Sequence, residues 1–389
     1  MVLIMRKIGI ITILKVNNYG AELQAYATQK ALQLMGYDAE IIDYPFYKNP
    51  RHIPTKKSRP VFAMPWKKTL AEWLYPRISR LRQIIQRNKS GVERAKHFEE
   101  FHKANTRFSC EYRTINDLFD AEMNYDACVV GSDQVWNPGN YTSLDPYFLK
   151  FCKNARKLSY ASSIGLGKLP EYTKYYYCEA WKSLDAISVR EENAVEIVKS
   201  VSGCNATWVL DPTLLLDAND WAKVENPDNK VSALGCPYVL LYELTPCPYL
   251  KTLAKHVAAL LQAKIVRITK DAVAIESDAE IINVTDAGPA EFLWLFRQSA
   301  FVVTNSFHGT AFSINMNKNF YVVTPARKKN NSRQQSILKL FHLSDRMLQE
   351  DAKLPEQDDL SIDFTQANEI LVEQRNLSKN FLKNAIDRE

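Results

Sequence analysis

Residues Lys7–Tyr44 read KIGIITILKVNNYGAELQAYATQKALQLMGYDAEIIDY. Ile8–Leu14 is short, apolar and β-branched, which predicts a strand. Ala21–Met35 sets Leu23, Ala27, Ala31 and Leu34 near one face of a helix. Ala39–Tyr44 returns to strand character. Strand, helix, strand in this order is a βαβ unit, and it commits the chain to parallel pairing. The seven residues of the first strand lie between Lys7 and Lys15 with no small-residue cleavage pattern after them, so they read as a mature strand and not a signal peptide.

The alternation continues. Helix patterns cover Val92–Lys103, Glu191–Ser200, Tyr249–Leu261, Pro289–Gln298, Thr310–Met316, Gln334–Phe341 and Thr365–Ile386. Strand patterns cover Tyr125–Val130, Lys157–Ala161, Ala186–Val189, Thr207–Leu210, Tyr238–Leu244, Ile265–Thr269, Ile281–Thr285, Phe301–Thr304 and Phe320–Val323. A looser polar stretch, Asp217–Gly235, reads as a junction. The expectation is an α/β protein of two Rossmann-like domains facing a cleft, residues 1–216 and 217–364, with a terminal helix at 365–389. A length of 389 residues suits two domains.

Composition narrows the class. Apolar residues make up 46% and charged residues 24%, the balance of a globular chain. No uncharged apolar run is long enough to span a bilayer. The seven cysteines are widely spaced with no C-x-x-C, which argues against a disulfide framework or a zinc site and for a reducing compartment. Net charge is +6, yet Lys48–Lys89 holds twelve Lys/Arg and one acid, so this insertion carries +11 and the remainder −5. Phe62, Met64, Trp66, Trp73, Leu74 and Tyr75 are interleaved with it. Such a segment reads as a solvated insertion, as a contact for an anionic membrane or lipid diphosphate, or as a nucleic-acid surface.

In parallel sheets ligands sit at the carboxyl ends of the strands. Four segments there carry chemistry. Asn17-Asn18-Tyr19-Gly20 opens the first helix and reads as an ordinary turn or an anion-holding one. It is neither a G-x-G-x-x-G fingerprint nor a P-loop. Gly131-Ser132-Asp133-Gln134-Val135-Trp136-Asn137 offers directional hydrogen bonds and a flat ring, which suit a polyhydroxylated ligand; Ser132 and Asp133 also suit a helix cap. Arg190 ends a strand beside Glu191 and Glu192, and reads as their partner or as a two-pronged holder of carboxylate or phosphate. Thr304-Asn305-Ser306-Phe307-His308-Gly309-Thr310 places a histidine after a buried strand, where a general acid or base is well sited. Arg327, Lys328, Lys329 and Arg333 follow as a basic loop.

Together these strings resemble the polysaccharide pyruvyl transferase family. The strings are NNYGAELQAY (Asn17–Tyr26), VVGSDQVWNP (Val129–Pro138), SVRE (Ser188–Glu191) with DPT (Asp211–Thr213), and Gly288–Ser313 with TNSFHGTAFS at its end. The resemblance runs from about residue 7 to about residue 345, and the terminal helix is also similar. It implies a GT-B-like fold whose C-terminal helix returns to the N-terminal domain. It also implies transfer of the enolpyruvyl unit of phosphoenolpyruvate to two hydroxyls of one sugar, forming a cyclic ketal. The acceptor it implies is a surface or capsular glycan precursor on a polyprenyl diphosphate, met at the inner membrane face by a cytoplasmic enzyme.

On that resemblance His308 is the acid/base. Arg190 and Arg333 hold phosphoenolpyruvate, with Ser306 and the Gly309–Thr310 helix start beside them. Better-studied members carry an arginine where this chain has Ser306, so Arg333 or the Arg327–Lys329 cluster is read as supplying that cation. Asn17, Asn18, Tyr19, Ser132, Asp133, Gln134 and Trp136 hold the sugar. No metal and no cofactor beyond the co-substrate phosphoenolpyruvate are expected, and no nucleic acid. A nucleotide-sugar glycosyltransferase on the same architecture and a non-catalytic glycan- or membrane-binding scaffold are the competing readings.

Overall fold

A computed structural model describes residues 5–49, 51–59, 89–269, 278–324 and 332–388. The expected aromatic-basic insertion falls largely on residues 60–88 and lies outside them. The chain forms two units: Met1–Gln86 with His102–Leu215 and Gln374–Glu389, and Arg87–Phe101 with Leu216–Glu373.

In the first unit β1 (Lys7–Ile11), β2 (Asp38–Asp43), β3 (Phe108–Glu111), β4 (Ala127–Val130) and β5 (Arg156–Ser159) form one parallel sheet in the order β3-β2-β1-β4-β5. The short pair β6 (Ser188–Val189) and β7 (Thr207–Trp208) continues beyond β5 through bridges at Leu158–Ala186 and Ser162–Val189. The order reverses between β1 and β4. The helix Tyr19–Leu34 crosses from β1 to β2 and is buried almost all round as far as Leu32, while Leu34 in its last turn is 58% exposed and does not join the core face expected of it. Most of its buried polar atoms are paired, Gln24 Oε1 being an exception. Gln29 exchanges two hydrogen bonds with the backbone of Arg107, which fixes the approach to β3. That edge strand is half-exposed and carries no clean alternation, so the sequence pattern passes over it.

In the second unit β8 (Tyr238–Tyr242), β9 (Lys264–Ile268), β10 (Ile281–Val284), β11 (Phe301–Thr304), β12 (Phe320–Thr324) and β13 (Met347–Gln349) form a parallel sheet in the order β10-β9-β8-β11-β12-β13. Its reversal lies between β8 and β11. Tyr242, Phe292, Phe296 and Phe312 meet in edge-on and tilted contacts under the central strands. The polar stretch read as a junction holds two one-turn helices, Ala218–Ala222 and Asn229–Ser232, capped by Asp217 and Asp228.

The terminal helix Thr365–Asp387 is counted with the first unit from Gln374 onward. There Ser378 Oγ accepts the buried amide of Leu210, and Arg375 donates to the Leu214 carbonyl. Arg6 and Arg156 donate to the Ile386 and Ala385 carbonyls, satisfying the helix end. Leu382 and Ile386 are fully buried.

Gly9 in β1 leaves room for Tyr125, whose ring atoms would lie 2.7–3.0 Å from an added Cβ. Tyr125 is itself tied to Glu40 and lies under Lys7. Gly9→Ala is expected to cost about 1–3 kcal/mol through overpacking, read as a lower urea midpoint at unchanged slope.

Candidate functional site

Each sheet brings its polar strand ends to one edge, and each unit gathers a cluster at its reversal point.

In the first unit the turn after β1 carries Lys15 and Asn17 at φ 56° and 53°, left-handed conformations that Asn accepts more readily than most residues. The turn is pinned from several sides. Glu22 Oε1 accepts the Val16 amide at 3.0 Å, and its Oε2 meets His102 Nε2 at 2.7 Å. Lys15 reaches Asp43 at 2.5 Å, and Asn49 donates to the Lys15 carbonyl. Asn18 caps the helix by accepting the Ala21 amide. Asn17 is exposed, Asn18 is half-buried and Tyr19 is buried.

After β4 the chain turns sharply at Asp133, φ 71°. Gln134 and Asn137 hold each other at 2.7 Å, and Asn140 donates to the Gln134 carbonyl. Gly165, itself at φ 68°, lets this group approach, since a Cβ there would lie 2.7 Å from Gln134 Oε1. Trp136 departs from the ligand-facing role read from the sequence. It is fully buried, its indole N–H donates to the Tyr147 carbonyl, and its ring stacks on Phe148 at 5.2 Å. With Tyr177 and Trp181 it forms an aromatic core, so its flat face is spent on packing.

Arg190 also has a different setting from the anion-holding one. Its guanidinium donates to Asp211 Oδ2 at 2.8 Å and to Ser132 Oγ at 3.2 Å, and reaches Glu191 at 3.5 Å. The side chains of Arg190, Asp211 and Glu191 are 2%, 0% and 3% exposed. Burial works against the charged guanidinium, but Asp211, Glu191 and Asp133 outweigh it and hold its pKa above the ordinary value. Asp211 also accepts from Ser132, and from the Thr213 amide and hydroxyl. Ser163 donates to Glu191 at 2.5 Å. Arg190 therefore ties the ends of β4, β6 and β7 together, with its charge already met by carboxylates. Ser163 is the residue here that the sequence reading did not single out, and Asp211, quoted there in the DPT string, carried no role of its own.

In the second unit Asn305 joins the ends of β8 and β11. Its carboxamide accepts from the Leu244 amide at 2.8 Å and donates to the Thr245 carbonyl at 2.7 Å. Glu243 beside them accepts the Cys247 amide, and burial pushes its carboxyl above the usual range. Both could have been found by the same strand-end rule that selects His308. The helix after β11 begins at Phe307, three residues earlier than the sequence pattern suggests. Ser306 is its cap and accepts the Gly309 amide at 3.2 Å, while the Thr310 amide and hydroxyl both go to the Ser306 carbonyl. Ser306, Gly309 and Thr310 thus serve one another, and the Gly309–Thr310 amides are not the anion donors expected of them. Gly309 permits close packing on β11, because a Cβ would lie 2.5 Å from Thr304 Oγ1.

His308 occupies the first turn of this helix, 7% exposed, with the Phe307 ring edge-on at 5.2 Å. The helix packs against the helix Ser332–Leu340, whose second residue is Arg333, half-buried. Imidazole and guanidinium are thereby carried on the N-terminal turns of two adjacent helices, each following a strand of the same sheet. Arg327–Lys329 lie outside the described residues. Among the described residues no three or more His, Cys, Asp or Glu side chains cluster as metal ligands would.

The family model for polysaccharide pyruvyl transferase matches residues 18–327. No curated protein matches the chain. Solved structures similar to it include UDP-GlcNAc 2-epimerase from Methanocaldococcus jannaschii, at 10% identity and TM-score 0.48 over 94% of this chain and 99% of that one. The S. aureus MnaA–UDP structure is similar at 11% identity and TM-score 0.47 over 99% and 94%. E. coli ADP-heptose LPS heptosyltransferase II is similar at 13% identity and TM-score 0.37 over 95% and 99%.

Removing Asp211 takes the shortest ion pair from buried Arg190 and the acceptor from Ser132 and Thr213. Asp211→Ala is expected to destabilise by about 3–5 kcal/mol. Adding Arg190→Met to Asp211→Leu should not recover that loss, because Glu191 then keeps its buried carboxylate without Arg190, as measured by urea unfolding.

Proposed function

The chain belongs to the polysaccharide pyruvyl transferase family, and from that premise we propose that it moves the enolpyruvyl unit of phosphoenolpyruvate onto two hydroxyls of one sugar. The observation that carries this reading is the placement of His308 and Arg333 on the N-terminal turns of two adjacent helices at the carboxyl edge of the second sheet. Phosphoenolpyruvate brings a carboxylate and a phosphate. A guanidinium is complementary to both groups. Arg333 is the cation we assign to the donor.

The reaction needs a proton on the methylene carbon as a sugar hydroxyl attacks the adjacent carbon. The tetrahedral adduct then loses phosphate, and the second hydroxyl closes the ketal. His308 is the group we assign to this proton traffic. The sugar is assigned to the strand-end loops of the first unit, where Asn17, Asn18, Asp133 and Gln134 present polar groups to solvent or lie half-buried. Arg190 enters this scheme as a support: with Ser132, which is buried and donates to Asp211 in place of holding sugar, it fixes the strand end that presents Asp133. Trp136 and Tyr19 support from within the core.

The acceptor we propose is a saccharide on a lipid diphosphate. Its support is the +11 charge of Lys48–Lys89 and the six large apolar side chains interleaved with it. Cations near an anionic surface contribute about 1 kcal/mol each. No helix among the described residues is long and apolar enough to cross a membrane.

Purified protein given phosphoenolpyruvate and a lipid-linked saccharide should release phosphate and add a pyruvyl mass to the saccharide, read by mass spectrometry. His308→Ala should lower kcat by about 10²–10⁴ with an unchanged melting temperature; full retention of rate would remove the histidine from the chemistry.

Deleting Arg51–Lys89 should reduce co-sedimentation with anionic liposomes. Sedimentation equal to that of the intact chain would end the membrane assignment.

A further inference from the structure

The seven cysteines form no sequence motif, yet two of them meet in the first unit. Cys128 lies in β4, flanked in register by Gly9 of β1 and Lys157 of β5. Cys152 lies in the turn that leads into β5. Both belong to the same core cluster, and their thiols are hydrogen-bonded to each other. Both thiols are reduced.

They are buried, at 1% and 4% exposure, but they are not sealed. A cavity of about 490 Å³ is lined by Cys128 and Cys152 together with Glu122, Asn124, Lys153 and Asn154. That volume lies in the range that admits small ligands. Polar groups of both signs at its wall suit a zwitterionic peptide thiol better than an apolar molecule.

The two sulfurs are chemically unequal. The hydrogen bond from Cys128 lowers the Cys152 thiol pKa, and Lys157 lowers it further, while burial and Asp185 oppose them. The same hydrogen bond raises Cys128, and burial raises it again. Cys152 is the more exposed of the two and sits in the turn, whereas Cys128 is inside a central strand, so Cys152 is the attacking sulfur and Cys128 the resolving one.

We propose that Cys128 and Cys152 are a redox-active pair that closes to a disulfide by exchange with a low-molecular-weight disulfide entering through this cavity. In the first step Cys152 Sγ attacks one sulfur of the small disulfide, and a small thiolate leaves. In the second step Cys128 gives up its proton and attacks Cys152 Sγ, and the second small thiolate leaves. Both leaving thiolates take up the protons the cysteines release. The protein loses two electrons and two protons, and the small disulfide is reduced to two thiols. The bond would enclose residues 129–151, and with them the Ser132–Asn137 turn at the strand edge.

The test exposes the reduced, folded, full-length protein to glutathione disulfide, quenches with acid, and maps the cysteines by mass spectrometry without reduction. The expected result is a peptide pair joined through Cys128 and Cys152, lighter by two hydrogens and restored by dithiothreitol. Cys128→Ser should trap Cys152 as the glutathione adduct. Cys152→Ser should slow modification of Cys128 by about tenfold or more. The proposal is overturned if the intact protein shows adducts at exposed Cys110 and Cys236 while Cys128 and Cys152 stay reduced. It is equally overturned if Cys128 reacts as fast without Cys152. Mapping of the unaltered protein decides the matter even where a variant fails to fold.

Discussion

Parallel pairing puts the carboxyl ends of all strands in a sheet on one edge, and both units are organised by that constraint. The strands themselves are closed to chemistry, since β4, β8, β11 and β12 are buried along their whole length. Each chain segment must therefore turn polar at the same edge. Backbone groups released from the ladder there need partners, because burying them unpaired is costly. Side-chain carboxamides, hydroxyls and carboxylates take that role: Asn305 between β8 and β11, Thr12 and Ser132 between β1 and β4, Ser188 with Ser159 between β5 and β6. A site at such an edge is built partly from residues whose first duty is to end a strand.

The first unit shows how far that duty goes. Arg190, Asp211 and Glu191 remove two negative charges and one positive charge from water together. Such a group is weak evidence for stability compared with an apolar core, but losing one member is expensive. Its value is geometric: it joins three strand ends whose loops would otherwise be held only by turns. The second unit achieves the corresponding closure with the neutral Asn305.

Much of this was legible in the sequence, and the gaps have physical causes. The βαβ opening was readable because Ile8–Leu14 and Ala39–Tyr44 are buried and β-branched. The edge strands β3 and β13 were not, because they are short, half-exposed and lack alternation. The helices Ala218–Ala222 and Asn229–Ser232 are single turns begun by aspartates, and locally that composition is the same as a linker's. At the site, the rule that function follows strand ends found His308, Asp133 and Arg190. It gave Asp211, quoted beside Arg190's string, no role as the partner of Arg190, because the two are 21 residues apart and meet only through β6 and β7. Trp136 misled for the converse reason. Its neighbours in sequence are polar, while its neighbours in space, Phe148, Tyr177 and Trp181, come from later segments.

The last helix has a consequence for the order of assembly on the ribosome. Leu210's amide finds its acceptor at Ser378, and the pocket filled by Leu382 and Ile386 is vacant until those residues emerge. All of the second unit except Arg87–Phe101 is translated in between. The amino-terminal unit, although begun first, is thus finished last. A nascent chain halted after Leu215 would present an open apolar groove, the kind of exposed surface that chaperones recognise.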